Sequence, residues 1–175
     1  MSRLPPVSRN ELTADVQRLY DVIAGTRRDG LAGPFSALIR NPIIAEPAND
    51  LHNAFRLKGK LDRRLFELVV LQVAHEWSTQ YAWSVHERLA IKAGLSSSII
   101  EAIRTDAEPV SMRDDERLIY LLVREILQHK TLGPATYHKA AAALGLELLI
   151  EVVAAVGFYS MLCWVLNVFD IPVRD

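Results

Sequence analysis

The chain has 175 residues, about one domain's worth, and enough to bury roughly two-thirds of its unfolded surface without a disulfide or metal staple. Half of the residues are apolar and 23% are charged, which excludes a disordered chain. Basic residues number 20 and acidic residues 21, the net charge is −1, and no Lys/Arg run is long enough for a nucleic-acid patch, so nucleic acid is excluded as a partner.

The first residues, Met1-Ser-Arg-Leu-Pro-Pro-Val, contain no apolar signal core, and a cytoplasmic location is expected. Apolar spacing is helical almost throughout, and no segment reads as a strand. Ser8-Arg9-Asn10-Glu11 has the form of a capping box and predicts a helix through Leu12, Val16, Leu19 and Ile23. A loop from Gly25 to Gly33 follows, then a short helical turn over Phe35 to Arg40, ended by Asn41-Pro42. The next helix runs to Leu57 and should begin near Ala45, because Pro47 is tolerated only in a first turn. This divides the domain into an N-terminal helix and loop, 1–32, and a helical body, 33–175.

Asp62 is the candidate N-cap of a helix carrying Leu65, Leu68, Val69, Gln72 and Val73. A second helix spans about Thr79 to Ala93 and stops at Gly94. Ser96 caps a third, ending near Arg104, and Ser111-Met112-Arg113-Asp114 reads as the cap of a fourth. Pro134 opens a helix that Gly145 closes, and the last helix covers about Leu146 to Phe169. Val152 to Phe169 carries no formal charge and touches the lower length limit of roughly 18 residues for a membrane span. Glu147 and Glu151 just before it, the interruptions at Gly157, Tyr159, Ser160 and Asn167, and Pro172 just after it favour a helix buried in a core or between subunits. Arg64-Leu65 with Leu68-Val69-Val70 recurs as Arg117-Leu118 with Leu121-Leu122-Val123, which suggests a duplicated pair of helices within a compact bundle.

The densest polar and aromatic cluster lies between Glu67 and His86. With a turn centred on residues 76 and 77, an antiparallel hairpin places both at one height, about 14 Å from the turn at 1.5 Å per residue. A carboxylate facing an imidazole in a partly apolar cleft makes a proton relay: Glu67 fixes the tautomer and His86 keeps its other ring nitrogen for a substrate proton. The competing reading is a core histidine satisfied by Glu67 or by a backbone carbonyl. Tyr81 and Trp83 are candidate cleft walls, with Thr79 beside them, although Trp77 and Trp83 also read as core or interface anchors. His75, Glu76 and His86 lack the spacing that puts two ligands on one helical face, so no metal is expected. The single cysteine, Cys163, leaves neither a disulfide nor a Cys-x-x-Cys pair. Gly-rich phosphate loops and serine nucleophile elbows are also missing from the sequence.

Leu61-Asp-Arg-Arg-Leu-Phe-Glu67, then Glu76-Trp-Ser-Thr-Gln-Tyr-Ala-Trp-Ser-Val-His86, then Ala90-Ile-Lys-Ala-Gly-Leu-Ser96 resembles the carboxymuconolactone decarboxylase family, within the alkyl hydroperoxidase D-like superfamily. Gly33-Pro34-Phe35, Asn41-Pro42 and Gly157-Phe-Tyr159-Ser-Met resemble its longer members. The resemblance implies an all-α, alkyl hydroperoxidase D-like helical bundle that assembles as homotrimers or homohexamers, with a cleft near a subunit interface. In the peroxidase branch a Glu, a Cys-x-x-Cys pair and a His form the site. Glu67 and His86 match that motif in position and spacing, while Thr79 and Ala82 stand where the cysteines would be. The decarboxylase branch implies cofactor-free chemistry on a small organic acid or lactone of aromatic catabolism. The expected function is therefore acid/base catalysis of the decarboxylase, lyase or isomerase type by Glu67 and His86, with no cofactor. The alternatives are a non-catalytic oligomeric binding member and, disfavoured by the missing cysteines, an alkyl hydroperoxidase-type antioxidant.

Overall fold

In the computed structural model of the protein, which describes residues 2–26 and 30–173, every regular element among the described residues is helical. The α-helices are α1 (Ala14–Gly25), α2 (Phe35–Leu38), α3 (Pro42–Asn53), α4 (Arg63–Glu76), α5 (Gln80–Lys92), α6 (Ser97–Arg104), α7 (Asp114–His129) and α8 (Pro134–Val168). The chain divides into two compact units, Lys60–Cys163 and Met1–Gly59 with Trp164–Asp175.

In the unit that contains the N-terminus, two predicted starts move. Ser8 precedes only a 3₁₀ turn, Arg9–Glu11, its side chain caps nothing, and α1 begins at Ala14. The helix after Asn41 begins at Pro42, whose fixed φ suits a first position, so Pro47 lies inside α3 rather than in its first turn. The helix therefore gives up the backbone bond that residue 47 would have donated to Ile43. It then widens into a π turn, Ala54–Lys58, before Gly59 breaks it.

The unit Lys60–Cys163 is organised around α4. Asp62 caps it as expected, accepting from the Arg64 N–H at 3.0 Å. Residues Arg64 through Ala74 are all buried, so the helix has no solvent face over that length. α5, α6 and α7 pack against it. The Arg64 guanidinium crosses to α7, with Nη1 on Glu116 and Nη2 on Asp115, each at 2.6 Å. Burial opposes the charge on Arg64, but its bonds to Asp115 and Glu116 outweigh that penalty and raise its pKa. Burial likewise pushes the Asp115 carboxyl up, and the Arg64 hydrogen bond pulls it further down, to a net position below its ordinary 3.8.

The α7 cap differs from the expected one. Ser111 plays no part in it. Glu116, three residues past Arg113, accepts the Arg113 N–H at 2.8 Å, so one carboxylate serves both the helix start and Arg64. Gly94 and Gly145 end helices as the sequence suggested. Gly145, at φ 74 and ψ 163, breaks the run Pro134–Val168 into two helices. Glu151 accepts the backbone N–H groups of Lys60 and Leu61 at 3.0 and 3.3 Å, tying α8 to the entry of α4. Among the described residues, α8 is long and apolar enough to cross a membrane. Half of its most apolar window, of mean hydropathy 2.0, is buried, as in a core helix.

The conformation at Gly145 is one that side-chain-bearing residues avoid, and a Cβ there would meet nothing within 4 Å. Gly145→Ala should therefore cost about 1–3 kcal/mol through backbone strain alone, read as a lower midpoint in urea denaturation. Asp115→Asn tests the α4–α7 ion pair. A carboxyl lowered in the folded state stabilises above its unfolded pKa and loses that contribution as pH falls through the folded value. The stability gap between wild type and the variant should be full above about pH 5 and should close on acidification below about pH 4.

Candidate functional site

Residues Glu67 on α4 and His86 on α5 meet as the hairpin predicts. α4 runs two residues further than expected, to Glu76, and the turn centres on Ser78, yet both helices lengthen or shift too little to part the pair. His86 Nδ1 lies 2.7 Å from Glu67 Oε2. The Glu67 side chain is 0% exposed and that of His86 12%. A carboxylate can only accept, so Nδ1 carries the proton and Nε2 holds the lone pair in the neutral ring. Nε2 makes no hydrogen bond among the described residues.

Two neighbours complete the surroundings. Arg63 Nη2 reaches Glu67 Oε1 at 2.5 Å, and its guanidinium lies over the Phe66 ring, 4.9 Å from the centroid. Tyr159 of α8 presents its ring edge-to-face to His86 at 5.3 Å and to Phe66 at 5.6 Å. Arg63, Glu67, His86, Tyr159 and Phe66 thus form a closed circuit of contacts. The buried carboxylate has its charge answered on one oxygen by a cation that is itself 40% exposed. On the other oxygen it holds an imidazole. Arg63 was legible as a partner: it stands four residues before Glu67 on one helix face. Tyr159 carried no such local signal.

The remaining sequence-predicted residues go elsewhere. Thr79, 2% exposed, sits at the N-cap of α5 and gives its hydroxyl to the Trp77 carbonyl at 3.2 Å. Trp83 donates its indole N–H to Glu87 at 3.1 Å and lies under the Arg104 guanidinium at 4.8 Å. Trp77 donates to Ser160 at 2.8 Å, so the indoles are anchored as expected. Tyr81 is partly buried on α5. His75 Nε2 faces Asp106 at 3.8 Å and Glu76 faces Lys130 at 3.8 Å, both apart from His86. No group of three or more metal-ligating side chains occurs among the described residues.

Residues 45–117 match the Carboxymuconolactone decarboxylase family. The crystal structure of an alkylhydroperoxidase AhpD core, an uncharacterized peroxidase-related protein from Ralstonia eutropha JMP134, matches with a TM-score of 0.82 at 14% identity, over 99% of this chain and 93% of that one. The match to the family model covers residues 45–117, and the fold is shared with the AhpD core. No functionally curated protein sequence matches it significantly. At 14% identity the structural likeness is one of fold, and the helix hairpin bearing Glu67 and His86 falls inside the matched family segment.

At the two positions where the resemblance implies motif cysteines, the chain carries the hydroxyl of Thr79 and the methyl of Ala82, 2% and 6% exposed. Cys163 comes close to this spot from α8. Burial pushes its thiol up to about 11, against a smaller opposing effect of a hydrogen bond with Thr79. A thiol so raised is almost wholly protonated at neutral pH and is a poor nucleophile. Native protein at pH 8 should therefore leave Cys163 unlabelled by a chromogenic disulfide reagent, and addition of denaturant should release one equivalent of colour.

Proposed function

We propose that the protein is a cofactor-independent acid/base enzyme of the decarboxylase, lyase or isomerase type, acting on a small organic acid or lactone. The observation that carries this reading is the Glu67–His86 bond at 2.7 Å, with Nε2 left without a hydrogen bond among the described residues on a side chain that is 12% exposed. Glu67 holds the Nδ1–H tautomer, and Arg63 balances the carboxylate so that His86 is free to cycle between its neutral and protonated forms. As imidazolium it delivers a proton from Nε2. As neutral imidazole it removes one.

For a decarboxylation the balance is simple. Arg63, whose side chain is 40% exposed, holds an anionic oxygen of the substrate. The bond to the leaving carboxylate breaks, its electron pair moves into a conjugated carbonyl or lactone, carbon dioxide departs, and Nε2–H protonates the carbon left behind. Phe66 and Tyr159 form the apolar wall, and Thr79 lies on His86's face of α5. Tyr81 and Trp83 belong to the substrate surroundings, with the Trp83 indole held by Glu87 and Arg104. The working form is proposed to be a cytoplasmic homo-oligomer, trimer or hexamer, with a small molecule as its other partner.

A second reading draws on the low exposure of His86: the pair is structural and the protein a non-catalytic binding member. Peroxide reduction has no support, because Thr79 and Ala82 cannot form a thiolate and Cys163 is held protonated. The deciding experiment follows a panel of carboxylated lactones and small oxo-acids by NMR, scoring product formation and exchange of carbon-bound protons with deuterium. His86→Ala should lower turnover by about 10²–10⁴-fold, the usual contribution of a positioned general acid or base, and Glu67→Gln should follow it. Variants that fold and match wild-type turnover on an identified substrate would overturn the relay. A wild type inert across the panel, destabilised by about 1–3 kcal/mol when either residue is truncated, would favour the structural pair.

A further inference from the structure

On the other side of α4 lies a cleft that the relay does not use. At 100° per residue, Gln72 and Glu76 stand about 140° and 180° around the helix from Glu67. With His75 they form one wall of a cleft of about 420 Å³, counting space open to solvent, between α4, the end of α6 and α7. Ile103, Ala107 and Leu127 give it an apolar lining, and Tyr120 and Arg124 project from α7.

The charge on Arg124 is the unusual element. Elsewhere in this unit the buried guanidinium of Arg64 is met by two carboxylates. Arg124 is only partly exposed and has no carboxylate within ion-pair distance among the described residues. Its single polar partner is Tyr120 Oη, which accepts from Nη1 at 3.0 Å, and its guanidinium stands 5.8 Å from that ring's centroid. Tyr120 is 7% exposed and, having accepted, keeps its own O–H to donate. Gln72 is 6% exposed, and its one hydrogen bond runs from Nε2 to the Leu68 carbonyl at 3.3 Å, which leaves a second amide N–H. A planar guanidinium fork, a phenol and an amide N–H line the cleft beside its apolar residues, and Gln128, Glu76 and Asp106 complete the lining. Neither carboxylate pairs with Arg124: Glu76 faces Lys130 and Asp106 faces His75, each at 3.8 Å.

We infer that this cleft is a binding site for a short-chain carboxylate, with the carboxylate on Arg124, Tyr120 and Gln72 and the alkyl chain against Ile103 and Leu127. It is separate from the Glu67–His86 site and does not depend on the catalytic reading of that pair.

The test uses sodium butyrate as probe and its neutral isostere butyramide as control, by calorimetric titration and by mapping amide shifts on the isotope-labelled 175-residue chain. Butyrate should bind saturably, moving amides of α7 and the C-terminal half of α4, and butyramide should bind about tenfold more weakly or worse, since a charge-assisted bidentate pair is lost. Arg124→Gln should weaken butyrate by about tenfold, and Tyr120→Phe, which keeps the ring, by a smaller factor of about three. His86→Ala should bind as wild type. Equal binding of butyramide, unchanged affinity in a folded Arg124→Gln, shifts centred on His86, or no saturable binding would each overturn the assignment.

Discussion

A helix buried on every side cannot carry a polar side chain unless its neighbours answer it, and α4 carries three: Arg64, Glu67 and Gln72. An unanswered buried charge would cost several kcal/mol, comparable to the whole stability of a small domain. The surrounding elements are therefore placed by those groups as much as by apolar packing. Arg64 draws in the N-terminus of α7 through Asp115 and Glu116. Glu67 draws in α5 through His86 and folds Arg63 back over Phe66. Gln72 turns to its own helix carbonyl at Leu68 and leaves the third side open as a cleft.

The same constraint holds the Glu67–His86 pair in place. Thr79 and Ala82, at the positions where the resemblance implies the cysteines of the peroxidase branch, are both buried. Glu67 cannot be replaced cheaply, because Arg63 and His86 are both arranged around it. The hairpin thus carries a hydrogen-bonded carboxylate and imidazole and no thiol. The sole thiol, on α8, is held in its protonated form by the apolar surroundings that bury it.

α8 shows how one composition supports different environments. Its apolar run buries Val152, Ala155, Val156, Tyr159 and Cys163 along one side, yet Ile150 is 66% exposed on the opposite face and Val153 45% exposed between the two. Hydropathy averaged along the run sees only the total. The side on which Tyr159 lies is what makes the helix part of the candidate site, since its ring closes the circuit between His86 and Phe66.

Local chemistry was legible in the sequence wherever its cause was local. Asp62 and Ser96 cap because their oxygens reach an amide two residues on, and Gly94 and Gly145 stop helices because they accept positive φ. The Glu67–His86 contact followed from helical rise and a short turn, and it tolerated an error in the position of that turn. Pro47 misled because a proline inside a helix forfeits one bond, a loss that the packing of α3 absorbs, and Ser111 misled because Glu116 offered the better acceptor. What the sequence by itself determined was the all-helical class, the hairpin and the absence of a thiol pair, all of which depend on residue identity and short-range spacing. Only the tertiary structure decided that Tyr159 would face His86, that Arg64 would cross to α7 and that Arg124 would be left without a carboxylate. Those pairings join residues tens of positions apart, or depend on which groups fail to arrive, and no periodicity in the chain encodes them.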